Sequence, residues 1–367
     1  PGNDNLCISE SYAGRCDDDL ACSQVCKDEI RGGGKCGPFK GTKICYCDGC
    51  PSATVVTPAE TDPNIRRNRG GFLVFAQGRS LWKLPGEDVG ETRELSNISG
   101  EINKAVTVDC VNHHLYWTNE PTGIRRSRYD GSDNHLVVKK GMYLGLAVDF
   151  VSGNIFWVQC GVILVAKMSH LEDGHKTIIS HAEINRYSAL AVHPTRGSIY
   201  WSHSQTTIET ASMDGSNRQV WVTGVWAESL ALDYEANDLY WADWKTGNIE
   251  CISLNGGGKR IVSAQGSAGK YSWGISLSGG RVYWSSYFPT DTLNSITKSG
   301  STMKQHSLPA GRDEIRNLLG IVFVPEECPK LSNACAVSNG GCPFICLPHP
   351  GNNKKCVCPD DNSSCTS

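Results

Sequence analysis

The sequence predicts a mainly β fold: a six-bladed β-propeller flanked by small disulfide-rich N-terminal and C-terminal modules. Three observations carry this. An aromatic–Trp pair recurs at Tyr116-Trp117, Phe156-Trp157, Tyr200-Trp201, Tyr240-Trp241 and Tyr283-Trp284, with Trp spacings of 40, 44, 40 and 43 residues. Each pair follows an alternating apolar stretch, such as Ala105-Val106-Thr107-Val108-Asp109 or Ser229-Leu230-Ala231-Leu232-Asp233. Of the 18 cysteines, eight lie in residues 1–50 and six in 335–365.

Each repeat reads as four short antiparallel strands. The alternating stretch is the first and the aromatic–Trp stretch the second. A third ends at a turn dipeptide, Asp130-Gly131, Asp173-Gly174, Asp214-Gly215 or Asn255-Gly256, and a more polar fourth closes the unit. Asx-Gly supplies the positive φ angles of a tight hairpin. One four-stranded sheet cannot bury both faces alone, and radial packing about an axis solves that. The recurring Trp residues are expected to pack between blades. Phe72-Leu73-Val74-Phe75-Ala76-Gln77 occupies the place of an aromatic–Trp strand but has no first strand before it. The missing strand stands at the far end, as Leu319-Gly320-Ile321-Val322-Phe323-Val324. A last blade built from both ends of the ring brings the number to six.

The chain has 367 residues, 39% hydrophobic and 20% charged, which is enough apolar material for a sizeable core. Its net charge of -3 offers no basic excess, which argues against a nucleic-acid partner. No apolar run reaches the ~20 residues of a membrane-spanning helix, so no transmembrane segment is expected. Cysteine usage points to a secreted, extracellular protein. Zinc is disfavoured because Cys-x-x-Cys pairs do not repeat at finger spacing. Sequons at Asn97 and Asn362 are candidate glycosylation sites.

The Tyr-Trp-Thr-Asn type repeats over 71–327 resemble the YWTD propellers of the low-density-lipoprotein receptor family and of nidogen. The resemblance implies a closing Asp that ties neighbouring blades together. It survives as Asp243, whereas Asn119, Gln159, His203, Ser286 and Gln77 stand in the other blades. The same fold with a different inter-blade clamp is expected. The tail Cys335-x6-Cys342-x3-Cys346-x9-Cys356-x-Cys358-x6-Cys365 resembles an EGF-like module. That implies the pairs Cys335–Cys346, Cys342–Cys356 and Cys358–Cys365, and its calcium signature is absent. The head, with Cys22-x3-Cys26 and Cys45-x-Cys47-x2-Cys50, resembles cysteine-stabilised αβ defensins of the drosomycin type. That implies Cys7–Cys50, Cys16–Cys36, Cys22–Cys45 and Cys26–Cys47. The expected domains are a defensin-like head 1–50, a linker 51–69, the propeller 70–327 and an EGF-like module 328–367.

Cys110 and Cys328 follow the first strands of neighbouring blades at one end of the ring, which predicts a bond between them. Cys160 and Cys251 fall in blades that do not touch, so each is free or bridges to another chain. By analogy with the family, the functional surface lies where the first strands begin, around the channel mouth. Aligning those strands places Tyr143, Arg186, Tyr187, Trp226, Glu228, Tyr271, Trp273, Arg316 and Asn317 on that rim. Glu228 is the one carboxylate at the level nearest the strands, with Lys104 opposing it. No Ser-His-Asp set or His cluster converges there, so no catalytic residue, metal or cofactor is assigned. An aromatic-and-Arg rim has the composition of a protein-binding hot spot. The expectation is a secreted, non-catalytic protein whose partner is an extracellular protein or a copy of itself. A matrix or assembly component, a receptor-ectodomain fragment and a host-defence effector acting through the head are the alternatives. Residues 1–50 carry six Lys or Arg against eight Asp or Glu, which speaks against the last.

Overall fold

The computed structural model describes residues 6–8, 34–39, 42–48, 71–77, 79–85, 92–97, 102–120, 122–139, 143–180, 189–203, 206–264, 271–278, 280–287, 292–306, 308 and 318–360. The chain divides into two compact units, Pro1–Arg66 and Arg67–Ser367. In the first, Leu6–Ile8, Gly34–Phe39 and Thr42–Asp48 form an antiparallel sheet with the last strand in the middle. Cys7 stands opposite Cys47 and Cys36 opposite Cys45 in the backbone register. The helix expected around Cys22 and Cys26, and the side chains of the four implied head disulfides, lie outside the described residues.

The second unit contains six four-stranded antiparallel sheets, as the repeat predicts. Blade 1 runs from Ile102 to Lys139, blade 2 from Tyr143 to Ile179 and blade 3 from Leu190 to Thr223. Blade 4 runs from Ala227 to Ser263 and blade 5 from Tyr271 to His306. Blade 6 is shared. Its innermost strand Leu318–Val324 pairs with Phe72–Gln77, in the register Ile321↔Phe75 to Val324↔Phe72, and Ser80–Pro85 and Arg93–Asn97 complete it. Closing the ring this way leaves no blade with a missing inner strand.

The aromatic–Trp pair explains the packing. Successive side chains on a strand point to opposite faces. The Trp therefore enters the core shared with the preceding blade, and the Tyr or Phe enters the core shared with the next. Trp241 packs with Ala189, Ala191 and Tyr200 of blade 3, while Tyr240 packs with Ile275, Val282 and Trp284 of blade 5. Six clusters of this kind fill the six gaps between blades. All five Trp of the repeat are at most 1% exposed.

Turns at the lower end repeat as well. Asp109, Asp149 and Asp233 end innermost strands, and each accepts two amides from the turn that follows. In blade 3 the ring of His193 takes that place, its Nδ1 accepting the Arg196 amide at 3.3 Å. Burial pushes that imidazole down to about 4, so it is a neutral acceptor.

Asn119 bonds Thr122 inside its own turn, and Asp243 bonds Thr246 and the Trp226 amide, again within its own blade and the segment leading into it. Serines do the inter-blade work from blade 4 to blade 6. Ser229 Oγ accepts the Ile275 amide, Ser276 Oγ accepts the Phe323 amide and Ser272 Oγ donates to the Gly247 carbonyl. Ser285 Oγ accepts from Gly274 N at 2.8 Å and donates to Leu319 O at 3.1 Å. A hydroxyl both donates and accepts at short reach, which suits two crowded backbones better than a carboxylate does.

Beyond Val324 the chain crosses the lower end, where Cys328 bonds Cys110 across 218 residues of sequence. The C-terminal segment holds Cys335–Cys346 and Cys342–Cys356 and a hairpin of Ile345–His349 with Asn353–Val357. Cys358 is also disulfide-bonded, and Cys365 lies outside the described residues. Ile345 and Leu347 enter the core between blades 2 and 3, so this segment is part of the propeller unit. Asn154, fully buried, donates to the Cys346 carbonyl at 2.7 Å.

Candidate functional site

Innermost strands of five blades carry a register irregularity near the mouth. Such a bulge sets an extra residue on one strand and re-aims its side chain. A hydroxyl directly after the aromatic–Trp pair bonds the backbone there: Thr118 Oγ1 takes the Ala105 amide, Ser202 Oγ the Ala189 amide and Ser285 Oγ the Gly274 amide. The sequence alignment had Glu228 and Trp273 just before their strands. They lie inside them, in Ala227–Asp233 and Tyr271–Leu277, because the bulge lets pairing continue past the irregular step.

Three predicted rim side chains are described. Trp226 is half-buried at the head of blade 4. Its amide donates to Asp243 Oδ2 at 3.0 Å, its carbonyl accepts the Trp244 amide at 2.8 Å, and Lys245 Nζ sits 3.9 Å from its ring centroid. The five-residue turn Asp243-Trp244-Lys245-Thr246-Gly247 thereby braces Trp226. Sequence reasoning missed Lys245, although its place two residues after Asp243 was a signal for it. Glu228 is the bulge residue of blade 4. Its Oε2 is buried without a hydrogen-bond partner, and desolvation alone pushes its carboxyl up to about 8. Trp273 holds the matching place in blade 5. Tyr143 and Tyr271 lie on described strands, but their side chains, and Arg186, Tyr187, Arg316 and Asn317 entirely, fall outside the described residues. So do the Asn97 side chain, Asn362 and the side chain of Lys104.

Beneath the mouth runs a cavity of about 760 Å³ lined by the innermost strands. Each blade contributes the residue that faces its repeated aromatic: Val106, Leu146, Leu190, Leu230, Ile275 and Ile321. Glu228 and Trp273 line its upper part. Phe150, Tyr234 and the crossing segment at Pro325, Glu327 and Pro329 line the lower part. Tyr234 makes edge contacts with both Phe150 and His193, at 6.1 and 5.3 Å between centroids. Asp233 at that end pairs with Lys298 of blade 5.

Among the described residues the histidines do not gather. His203 faces Glu209 at 3.4 Å within blade 3, His193 serves a turn, and His113 packs its edge against Tyr129. Among the described residues no three His, Cys, Asp or Glu side chains group as a metal would require. Cys160 is free and exposed at the mouth end of blade 2, and Cys251 is free and buried. No described helix is long and apolar enough to cross a membrane.

No protein-family model matches the chain. It is 26% identical to the vitellogenin receptor Yl of Drosophila melanogaster over 94% of this chain and 17% of that one. It is 30% identical to low-density lipoprotein receptor-related protein 5 of Homo sapiens over 92% of this chain and 20% of that one. The chain thus spans about a fifth of the length of these relatives. Among solved structures, the nidogen/laminin complex contains a chain matching 71% of this one and 100% of itself, with a TM-score of 0.62 and 24% identity. TolB from Acinetobacter baumannii matches over 80% and 82%, with a TM-score of 0.59 and 10% identity, a likeness of fold alone. By sequence the chain is similar to receptors of the low-density-lipoprotein receptor type, and by fold it is a six-bladed propeller with a disulfide-rich C-terminal region.

Proposed function

We propose that the protein is a secreted, non-catalytic binding module that recognises an extracellular protein at the channel mouth. The observation that carries this is Trp226, a large ring braced by its backbone bonds to Asp243 and Trp244 and covered by the exposed Lys245, beside Glu228 and Trp273. Rigid aromatics with a few polar neighbours lose little entropy on binding and make good anchors. Tyr143, Arg186, Tyr187, Tyr271, Arg316 and Asn317 belong to this surface by their alignment at the mouth. The similarity to receptor propellers, and to a propeller solved with a protein partner, supports a protein ligand over a substrate.

The test is capture from the native fluid on immobilised wild type and on Trp226→Ala combined with Trp273→Ala. Captured partner is expected to fall at least ~10-fold with the thermal midpoint held, as for hot-spot truncation. Unchanged capture by the double variant would sink the reading. The second reading, assembly between copies, rests on the exposed thiol of Cys160 at the same end. It requires a disulfide-linked species on a non-reducing gel that Cys160→Ser removes.

A further inference from the structure

We propose that Asn255 is a site of spontaneous deamidation, and that the carboxylate it leaves pairs with Arg196, turning a neutral contact between blades 3 and 4 into a salt bridge. The starting point is Arg196. Its guanidinium reaches from blade 3 to blade 4 and donates to Asn237 Oδ1 at 3.0 Å, to the Leu254 carbonyl at 3.2 Å and to Asn255 Oδ1. All three acceptors are neutral, and among the described residues no carboxylate pairs with this cation. Its charge is felt next door, where burial and Arg196 together push the His193 imidazole down to about 4.

One of those three oxygens belongs to a labile amide. Asn255-Gly256-Gly257 lies in the turn between Ile249–Ser253 and Arg260–Ser263, at the end of the ring away from the mouth. Asn255 is exposed, Gly256 has φ +98°, and a Cβ on Gly256, Gly257 or Gly258 would meet no atom within 4 Å. Glycine lets its backbone nitrogen approach the preceding side chain with no Cβ in the way. The Gly256 nitrogen bonds to Asn255 Cγ, and the Cγ–Nδ2 bond breaks. The amide nitrogen leaves as ammonia, taking up the proton that Gly256 gives to solvent. Water then opens the five-membered imide. Attack at Cγ leaves an aspartyl side chain, attack at the main-chain carbonyl leaves an isoaspartyl linkage, and each product carries one new carboxylate. Nothing is oxidised or reduced. In the aspartyl product the guanidinium already stands at the new carboxylate, and a charge-assisted bond is roughly twice as strong as a neutral one.

The molecule carries its own control. Asn339-Gly340-Gly341 is the same tripeptide. There the amide nitrogen donates to the Cys342 and Phe344 carbonyls, at 2.8 Å each, and the oxygen accepts from Lys167 at 2.8 Å. Gly340 donates to the Val337 carbonyl at 2.8 Å, whereas Gly256 reaches the Ser253 carbonyl at 3.2 Å. A Cβ on Gly340 would fall 2.7 Å from the Ala334 carbonyl. The leaving nitrogen is tied down and the ring has no room to close. At Asn255 the side-chain oxygen is engaged, and its nitrogen has no partner among the described residues.

The full chain is aged in mildly alkaline buffer, folded and in urea, and followed by peptide mass mapping. In the folded protein Asn255 is expected to lose its amide at least ~10-fold faster than Asn339, and in urea the two rates are expected to converge because the tripeptides match. Equal rates in the folded protein overturn the proposal, as does an Asn255 that keeps its amide. Asn255→Asp supplies the aspartyl product directly. Its thermal midpoint is expected to rise by about 1–3 °C, as for a partly exposed ion pair in a chain of this size, and the rise is expected to vanish in an Arg196→Gln background. A midpoint that does not rise, or a rise that survives without Arg196, overturns the salt bridge.

Discussion

Glu228 and Ser285 show two ways a buried oxygen at the mouth is treated. Ser285 Oγ is saturated, with one amide given to it and one carbonyl taking its proton. Ser285→Ala strips partners from two buried backbone groups and is expected to cost about 1–3 kcal/mol in chemical denaturation. Glu228 is unsatisfied, and its protons report on it. Its folded value near 8 stands above the ordinary 4.5. The folded chain therefore holds a proton that the unfolded chain releases between those values. Stability contributed by the protonated form is lost as pH rises through that window, by up to a few kcal/mol. Glu228→Gln is expected to flatten that fall in a series of urea midpoints from about pH 5 to about pH 8.5. Wild type and variant with the same slope would contradict the burial of this carboxyl. The two thiols differ in the same way. Burial pushes Cys251 up to about 11 while Cys160 is exposed, so alkylation of the native protein is expected to mark Cys160 first by peptide mass mapping.

At the scale of a blade, the turn between the third and fourth strands does more than reverse the chain. Gly215 has φ +84°, and a Cβ there would overlap the Ile178 carbonyl on the outermost strand of blade 2. Gly131 stands in the same relation to Leu95 of blade 6. In blades 1 and 3 the Asp-Gly pair is therefore a contact between blades as well as a turn. Gly215→Ala is expected to destabilise by more than the ~1 kcal/mol of an ordinary glycine replacement, read as a lowered thermal midpoint. Much of the blade was legible because its signals repeat: the Tyr-Trp pair alternates across a strand, and its period counts the blades. The serine clamp was not legible. Ser229, Ser272, Ser276 and Ser285 are common residues whose role appears only once two strands are set side by side. The bulges escaped for a related reason. A hydroxyl follows Trp117 and Trp284 in two of the bulged blades, but Val158, Ala242 and Ala76 stand there in the other three, and Ser202 holds that place in blade 3, whose described pairing is regular. That shifted Glu228 from the approach to a strand into its first turns of pairing, and the cavity beside it depends on a radius that no local pattern encodes.

At the scale of the molecule, the C-terminal segment is bound as firmly as a blade. Asp360 holds Lys176 at 2.6 Å and the Thr177 amide at 2.7 Å, and Lys355 holds Asp214 at 2.9 Å. Ile345 and Leu347, at most 2% exposed, anchor it. Leu347→Asp places an unpaired charge among Phe156, Val165 and Ile199 and is expected to lower the midpoint of the whole propeller rather than loosen the tail alone. A separate early transition of the tail in calorimetry would contradict that coupling.

The Cys110–Cys328 bond has a mechanical consequence. The chain enters the ring at Phe72 and leaves it at Val324, and these residues face each other at the end of one antiparallel ladder. Tension between the two chain ends would peel that ladder open one rung at a time, the weakest direction in which to load a sheet. Because Cys328 is tied to blade 1, a pull on the tail bypasses the seam and is handed to a blade whose four strands are contiguous in sequence. Under tension in reducing conditions the seam becomes the first part to yield, so the bond acts as a strain relief for the closure.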